Sequence, residues 1–314
     1  TRMNRALTFI AAAILATAAT PALAQHADHA GHAGADHGHQ HADFESGRFH
    51  VRVDGPEQPI GDIILIPGLS SSPEVWDGLT EALKDRYRIH RIHVQGFAGA
   101  PAEDNAQGLV ATPVAADLAR YIRQQQLDKP VVIGHSMGGT IAMMLAARQP
   151  ALVGKLMVVD MIPFMGAMFG GPQATAQSVQ PMADMVATGM RSSPPEAWEA
   201  QASQTIAGMI NTEAARSGPI QDSVTSDQNV AAASMRELIT TDLRPELSRI
   251  TAPTEVLYVK FNDARMTDEV TDGIYAASFA NLPGVTLKRI DDSAHFIMLD
   301  QPERFLAEVN AFLE

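Results

Sequence analysis

The sequence Val-Val-Ile-Gly-His-Ser-Met-Gly-Gly-Thr-Ile-Ala-Met-Met-Leu-Ala-Ala-Arg occupies residues 131–148. Its first three residues are typical of a buried strand, and its last nine are typical of a helix. The Gly-x-Ser-x-Gly pattern between them places Ser136 at the tip of a sharp strand-to-helix turn. Gly134 and Gly138 keep side chains out of that turn because they have no Cβ. We therefore predict that Ser136 is an exposed nucleophile; the alternative is a purely structural glycine turn.

A serine hydroxyl is a poor nucleophile at neutral pH, so Ser136 needs a neighbouring base. His295 is the candidate, because it follows a predicted strand at 285–290 and precedes the last helix. A loop there can reach the carboxyl edge of the sheet. Three other histidines are less suitable: the side chain of His135 is expected to point away from its neighbour, and His90 and His93 lie within a predicted strand.

Strand-like and helix-like segments alternate from residue 49 onwards. Two helices are expected to begin near prolines at their first turns, Pro73 and Pro113, and a last amphipathic helix spans 302–313. Apolar strands alternating with helices predict an α/β fold, with a mostly parallel, doubly wound sheet covered on both faces. The predicted strands are 49–53, 62–66, 87–94, 131–133, 155–159, 255–259 and 285–290.

One segment interrupts this alternation. Residues 163–244 are rich in Ala, Met, Gln and Ser, resemble a series of helices and contain no strand candidate. We predict a helical cap over the edge of a core formed by 49–162 and 245–314. Most of its methionines are expected to pack internally, and some are expected to face a substrate pocket.

The N-terminal region has two predicted parts. Residues 1–24 combine a basic start, an apolar stretch at 6–19 and an Ala-x-Ala site, which is typical of a secretory signal peptide; an uncleaved anchor is the alternative. Residues 25–48 form a leader with little apolar bulk, so we expect it to be disordered. The expected location is periplasmic or secreted, without stable membrane association after cleavage. The leader contains six irregularly spaced histidines: His26, His29, His32, His37, His39 and His41. Either they are simply solvated, or they bind metal weakly with Asp28, Asp36 and Asp43 as additional oxygen ligands.

Charge and composition exclude some partners. Cleavage after Ala24 leaves 290 residues and changes the net charge from −13 to −15. Such an acidic surface repels nucleic acid and anionic lipid. The chain has no cysteine, so disulfides contribute nothing to its stability.

Four segments together resemble the α/β-hydrolase superfamily: 66–70 with Trp76 following, 134–139, 253–263 and 293–296. They occur in the family's order of nucleophile, acid and histidine. The resemblance implies that Asp263 orients His295 and stabilises its charged form during acyl transfer. Asp160, which ends the preceding predicted strand, is the alternative acid and Asp268 a weaker third. Asp291 and Asp292 better suit a solvated loop.

The resemblance also implies an oxyanion hole made by the backbone N–H groups of Leu69 and Met137. Many relatives have His-Gly where this chain has Pro67-Gly68, but a backbone donor after Gly68 is compatible with either. The segment 94–99 departs from the Asp and Gly-x-Gly-x-Ser patterns of well-known subfamilies.

The implied activity is hydrolysis of a small-molecule carboxylic ester through an acyl-enzyme, with no cofactor and no metal. Amidase, lactonase and thioesterase activities are alternatives within the same fold. A non-catalytic ligand-binding domain and a metal-binding protein are the alternatives outside it.

Overall fold

The computed structural model describes residues 40–41, 43–260 and 266–314. Within them, one sheet of eight strands forms the centre of the molecule. The strands are β1 (Gln40–His41), β2 (Phe49–Asp54), β3 (Asp62–Ile66), β4 (Arg88–Val94), β5 (Val131–His135), β6 (Lys155–Val159), β7 (Thr254–Tyr258) and β8 (Thr286–Arg289). Their order across the sheet is β1-β2-β4-β3-β5-β6-β7-β8. β2 runs antiparallel to both its neighbours, and all other pairs are parallel.

Helices connect the parallel strands. The helix predicted from Pro73 begins as a 3-10 turn (Pro73–Trp76) and continues as α1. The α-helices are α1 (Asp77–Leu83), α2 (Ala111–Gln124), α3 (Met137–Arg148), α4 (Ala167–Gly170), α5 (Ala176–Ser192), α6 (Pro195–Met209), α7 (Ser217–Thr225), α8 (Gln228–Thr240), α9 (Asp268–Ser278), α10 (Ile297–Asp300) and α11 (Pro302–Leu313).

The apolar runs of the inner strands cover both faces of the sheet. In β3, Ile63 and Leu65 join a buried cluster with α1, α10 and α11, whereas Ile64 and Ile66 join a cluster with α2 and α3 on the other face. Successive side chains of a strand point to opposite faces, so only a continuously apolar strand can serve two helical layers. The predicted doubly wound α/β fold is confirmed.

Between β6 and β7 the described chain forms α4 to α8 and no strand. We call residues 163–244 the helical insertion. Its own apolar cluster includes Phe164, Val179 and Ile239. From α8, the buried Glu237 carboxylate accepts hydrogen bonds from the backbone N–H groups of residues 110–112, at 2.6–2.8 Å. It therefore satisfies the free donors at the start of α2 and ties the insertion to the core.

The N-terminal boundary differs from the prediction of a disordered leader reaching residue 48. Gln40–His41 pairs with β2, and Phe44 stacks on Phe49 with ring centroids 5.6 Å apart. Residues 43–48, the end of the predicted leader, are therefore ordered, and the Phe44 side chain anchors them to the sheet. The predicted signal peptide and the other five leader histidines lie outside the described residues. No helix within the described ranges is long and apolar enough to cross a membrane.

Candidate active site

Ser136 lies in a strained turn at the carboxyl end of β5. Its φ of 54° and ψ of −122° fall in a region that side-chain-bearing residues rarely adopt. A Cβ added to Gly134 would lie 2.1 Å from the Gly138 carbonyl oxygen, and one added to Gly138 would lie 2.1 Å from that of Ile66. Both positions therefore require glycine. The turn leaves the Ser136 side chain half-buried, and within the described residues its hydroxyl has no hydrogen-bond partner.

His295 lies on the loop between β8 and α10, and Asp160 immediately follows β6. The Nδ1 atom of His295 is 2.6 Å from Asp160 Oδ2. The Asp160 side chain is 3% exposed and that of His295 is 22% exposed, so the carboxylate is buried while the imidazole reaches solvent. A carboxylate on Nδ1 leaves Nε2 unprotonated and able to accept a proton.

Asp160 is held from its other side as well. Its Oδ1 atom accepts hydrogen bonds from the Tyr275 hydroxyl at 2.9 Å and from the Val259 backbone N–H at 3.1 Å. Burial, together with the neighbouring Asp160 charge, raises the pKa of Tyr275 well above its usual value, so the phenol remains a donor. Two donors on one oxygen leave the other oxygen for His295.

The remaining acid candidates lie elsewhere. Asp263 is outside the described residues, so its predicted role stays a prediction. Asp268 pairs with Lys260 at 3.2 Å and with Arg289 at 2.9 Å on the surface. The residues at 291 and 292 are exposed: the Asp291 carboxylate pairs with Arg289, and the Asp292 backbone carbonyl accepts a hydrogen bond from Gln301.

His135, next to the serine, has a supporting position. Its side chain is fully buried, and its ring lies 4.6 Å from those of His295 and Phe296, measured between centroids. Nε2 is 3.0 Å from the His295 carbonyl oxygen, to which it donates, and Nδ1 has no partner in the described chain. Burial, and then repulsion from His295, lower the pKa of His135 well below its ordinary value. It is a neutral support for the histidine loop.

The predicted oxyanion donors flank the serine. Neither the Leu69 nor the Met137 amide N–H donates to a backbone carbonyl within the described chain. Met137 begins α3, where the first amides lack intrahelical partners and the helix dipole favours negative charge. A Cβ added to Gly68 would be 3.1 Å from Ser136 Cβ, so the loop carrying Leu69 passes directly over the serine.

His90 and His93 are occupied away from this site. The two ring nitrogens of the buried His90 contact Tyr121 and Asp62, and His93 contacts the Phe97 carbonyl. Within the described residues, no three metal-ligating side chains form a cluster.

Comparison with known proteins agrees with this fold. The model of the alpha/beta hydrolase family matches residues 63–308, and the chain belongs to that family.

Individual relatives are distant. The pimeloyl-[acyl-carrier protein] methyl ester esterase of Pectobacterium carotovorum is 23% identical over 260 residues, which cover 81% of this chain and 94% of that protein. A hydrolase structure from Pseudomonas aeruginosa superposes with a TM-score of 0.71 at 17% identity, covering 88% of this chain and 99% of the other. The enol-lactonase structure from Burkholderia xenovorans gives 0.68 at 19% identity, covering 84% and 96%. Such structural likeness shows a shared fold.

Sequence reasoning did not identify two residues that support this site, Tyr275, which donates to Asp160, and Asp300, which accepts from the loop of His295. Tyr275 is seventeen positions past the end of β7 on an amphipathic helix, where an aromatic residue ordinarily indicates core packing. Asp300 accepts from the Ala294 backbone N–H beside His295 at 2.9 Å. Only its spacing of five residues after the histidine hinted at a contact.

Proposed function

We propose that this protein is a serine hydrolase that cleaves carboxylic esters through an acyl-enzyme. The observation that carries the proposal is the 2.6 Å contact between His295 Nδ1 and the buried Asp160, on a loop beside the strained Ser136 turn. Asp160 thus serves as the acid in place of the predicted Asp263.

The proposed reaction begins with attack of Ser136 Oγ on the substrate carbonyl carbon. His295 Nε2 takes the hydroxyl proton as the new C–O bond forms, and the Leu69 and Met137 N–H groups stabilise the oxyanion. Collapse of the tetrahedral intermediate breaks the bond to the leaving alcohol, which receives the proton from His295. Water, deprotonated by the same imidazole, then attacks the acyl carbon. The bond from that carbon to Ser136 Oγ breaks, the acid leaves, and Oγ takes back a proton from His295.

The Ser136–His295 hydrogen bond is expected to form when substrate binds. Catalytic hydrogen bonds in unliganded enzymes are often long or poorly aligned. Among the described residues the half-buried Ser136 hydroxyl has no hydrogen-bond partner, and the His295 ring is partly exposed, so both side chains are free to make this adjustment.

We further propose that the helical insertion acts as a cap selecting uncharged, apolar substrates. The oxyanion residue Leu69 packs against the insertion's apolar cluster together with the partly buried Met165, Phe169 and Met235. These side chains offer apolar contacts and no cation for a carboxylate substrate, and the chain's net charge of −13 adds repulsion. Met165 and Met235 are flexible enough to fit several acyl groups.

A lactone, which is a cyclic ester, is the second candidate substrate. The fold shared with an enol-lactonase supports it, and the same attack by Ser136 would open the ring. The mature enzyme is proposed to act in the periplasm or outside the cell, as the N-terminal signal pattern indicates.

The test combines a mutant with a substrate panel. We expect p-nitrophenyl esters of neutral acyl groups to be hydrolysed, and Ser136→Ala to lose that activity while keeping the same unfolding transition. A fluorophosphonate should label the native protein stoichiometrically and leave the variant unlabelled. Near-native activity of Ser136→Ala would refute the nucleophile, and a lactone and an anilide in the panel distinguish the reaction classes.

A further inference from the structure

Asp300, at the end of α10, lies where the helical insertion meets the loop of His295. Its Oδ2 atom accepts from the Ala294 N–H at 2.9 Å and from the Asn211 N–H at 3.0 Å, and its Oδ1 atom accepts from the Thr212 N–H at 2.8 Å. One carboxylate thus joins the residue before His295 to the end of the insertion's α6.

A backbone hydrogen bond reinforces this junction. The N–H of Phe296, the residue after His295, donates to the Met209 carbonyl at 3.2 Å. Ile206 and Ile210 of the insertion are buried in the same apolar cluster as Phe296 and Ile297. The loop of His295 is therefore attached on both sides of the histidine to residues 206–212.

The negative charge of Asp300 strengthens these hydrogen bonds. Burial raises the pKa of its carboxyl, but the three backbone N–H groups that donate to it outweigh burial, and the pKa is lowered. Hydrogen bonds to a charged acceptor are stronger than those between neutral groups. The Asp300 carboxylate is therefore charged at neutral pH, and its three backbone hydrogen bonds are intact.

We propose that Asp300 is a positioning residue that couples the seating of the helical insertion to the placement of His295. His135 supports the histidine loop from the core through the His295 carbonyl, and Asp300 supports it from the insertion. When the insertion shifts, residues 294–296 shift with it. His295 is therefore placed for proton transfer from Ser136 only while the insertion is packed against the core. This inference rests on the proposed function for its kinetic consequence, though not for its structural one.

The test compares Asp300→Ala and Asp300→Asn with a matched control, Asp227→Ala. Asp227 is also a carboxylate that accepts two backbone N–H bonds, from Asn229 at 2.8 Å and Val230 at 3.0 Å, but it caps α8 away from the histidine loop. Each variant is measured by hydrolysis kinetics, thermal unfolding, amide hydrogen exchange, and the downfield proton NMR signal of the His295–Asp160 hydrogen bond.

Asp300→Ala is expected to lower kcat by about 10²-fold with KM little changed, because a displacement of about 1 Å is enough for such a loss. The downfield signal should broaden, and the amides of Phe296, Asn211 and Thr212 should exchange faster together. Asp300→Asn, which keeps one acceptor oxygen, should fall between Asp300→Ala and the native protein, and it replaces the alanine variant should that fail to fold. Asp227→Ala should lower the unfolding temperature while leaving kcat and the NMR signal unchanged.

Native kcat and an unchanged NMR signal in the Asp300 variants would overturn the coupling, as would equal losses in Asp227→Ala. A native protein without hydrolytic activity would refute the proposed function alone. The NMR signal and the exchange rates would then still decide whether Asp300 joins the histidine loop to the insertion.

Discussion

Asp160→Asn replaces one oxygen of the buried carboxylate by an NH₂ group. Oδ1 of Asp160 accepts from the Tyr275 hydroxyl and the Val259 N–H, so in the variant the amide oxygen must take that side. The NH₂ group then faces His295 Nδ1, 2.6 Å from Oδ2 in the native structure, and has to donate to it. His295 is forced to carry its proton on Nε2, where it can no longer accept one from Ser136.

The expected loss in kcat is about 10⁴-fold at neutral pH, which corresponds to about 5 kcal/mol of transition-state stabilisation. The free energy of unfolding should change by only about 1 kcal/mol, because the Tyr275 and Val259 hydrogen bonds are kept. Steady-state hydrolysis of a p-nitrophenyl ester and urea unfolding measure the two quantities separately.

Asp263→Asn is the matched control. It should retain kcat within about tenfold of the native value, because the Asp160 carboxylate already contacts His295 Nδ1 and fixes its tautomer. If Asp263→Asn is the inactive variant and Asp160→Asn stays active, the sequence-based choice of Asp263 is right and the role proposed for Asp160 is refuted.

Three further predictions address stability and the leader. Glu237→Ala should lower the free energy of unfolding by about 2–3 kcal/mol, because it leaves three N–H donors at the start of α2 without their charged partner. Urea unfolding measures this change, and an unchanged midpoint would show that water replaces the carboxylate. Folding lowers the pKa of His135, so below pH about 6.5 this histidine binds a proton in the unfolded chain but stays neutral in the folded protein. The free energy of unfolding should therefore fall by up to about 1.4 kcal/mol per pH unit until the pH reaches the pKa of the folded state. His135→Gln should flatten this slope, and parallel slopes for the two proteins between pH 7.5 and 5 would contradict the assignment. Deleting residues 25–39 should leave kcat/KM nearly unchanged, because the leader is expected to be disordered; a loss of activity that zinc or nickel restores would assign it a function.

The sequence by itself determined the fold and the sharp turn that carries Ser136. Short apolar runs such as residues 62–66, set between helix-like segments, are typical of buried strands, and the glycines at 134 and 138 permit a turn that a Cβ would block. These are local constraints, carried by the period of side chains along a strand and by backbone sterics, so neighbouring residues suffice to reveal them. The position of His295 followed from the same pattern, since it stands between the last strand and the last helix.

Only the tertiary structure shows that the Asp160 carboxylate contacts His295. β6 lies between β5 and β7 in a parallel sheet, so an aspartate following either β6 or β7 arrives at the same edge as Ser136. Chain order does not distinguish Asp160 from Asp263. The choice of Asp160 depends on Tyr275, 115 positions away in sequence, and on the Val259 amide, which together aim its free oxygen at His295. The hydrogen-bond partners of Asp300 could likewise not be predicted from the sequence, because they are backbone N–H groups, which every residue but proline possesses.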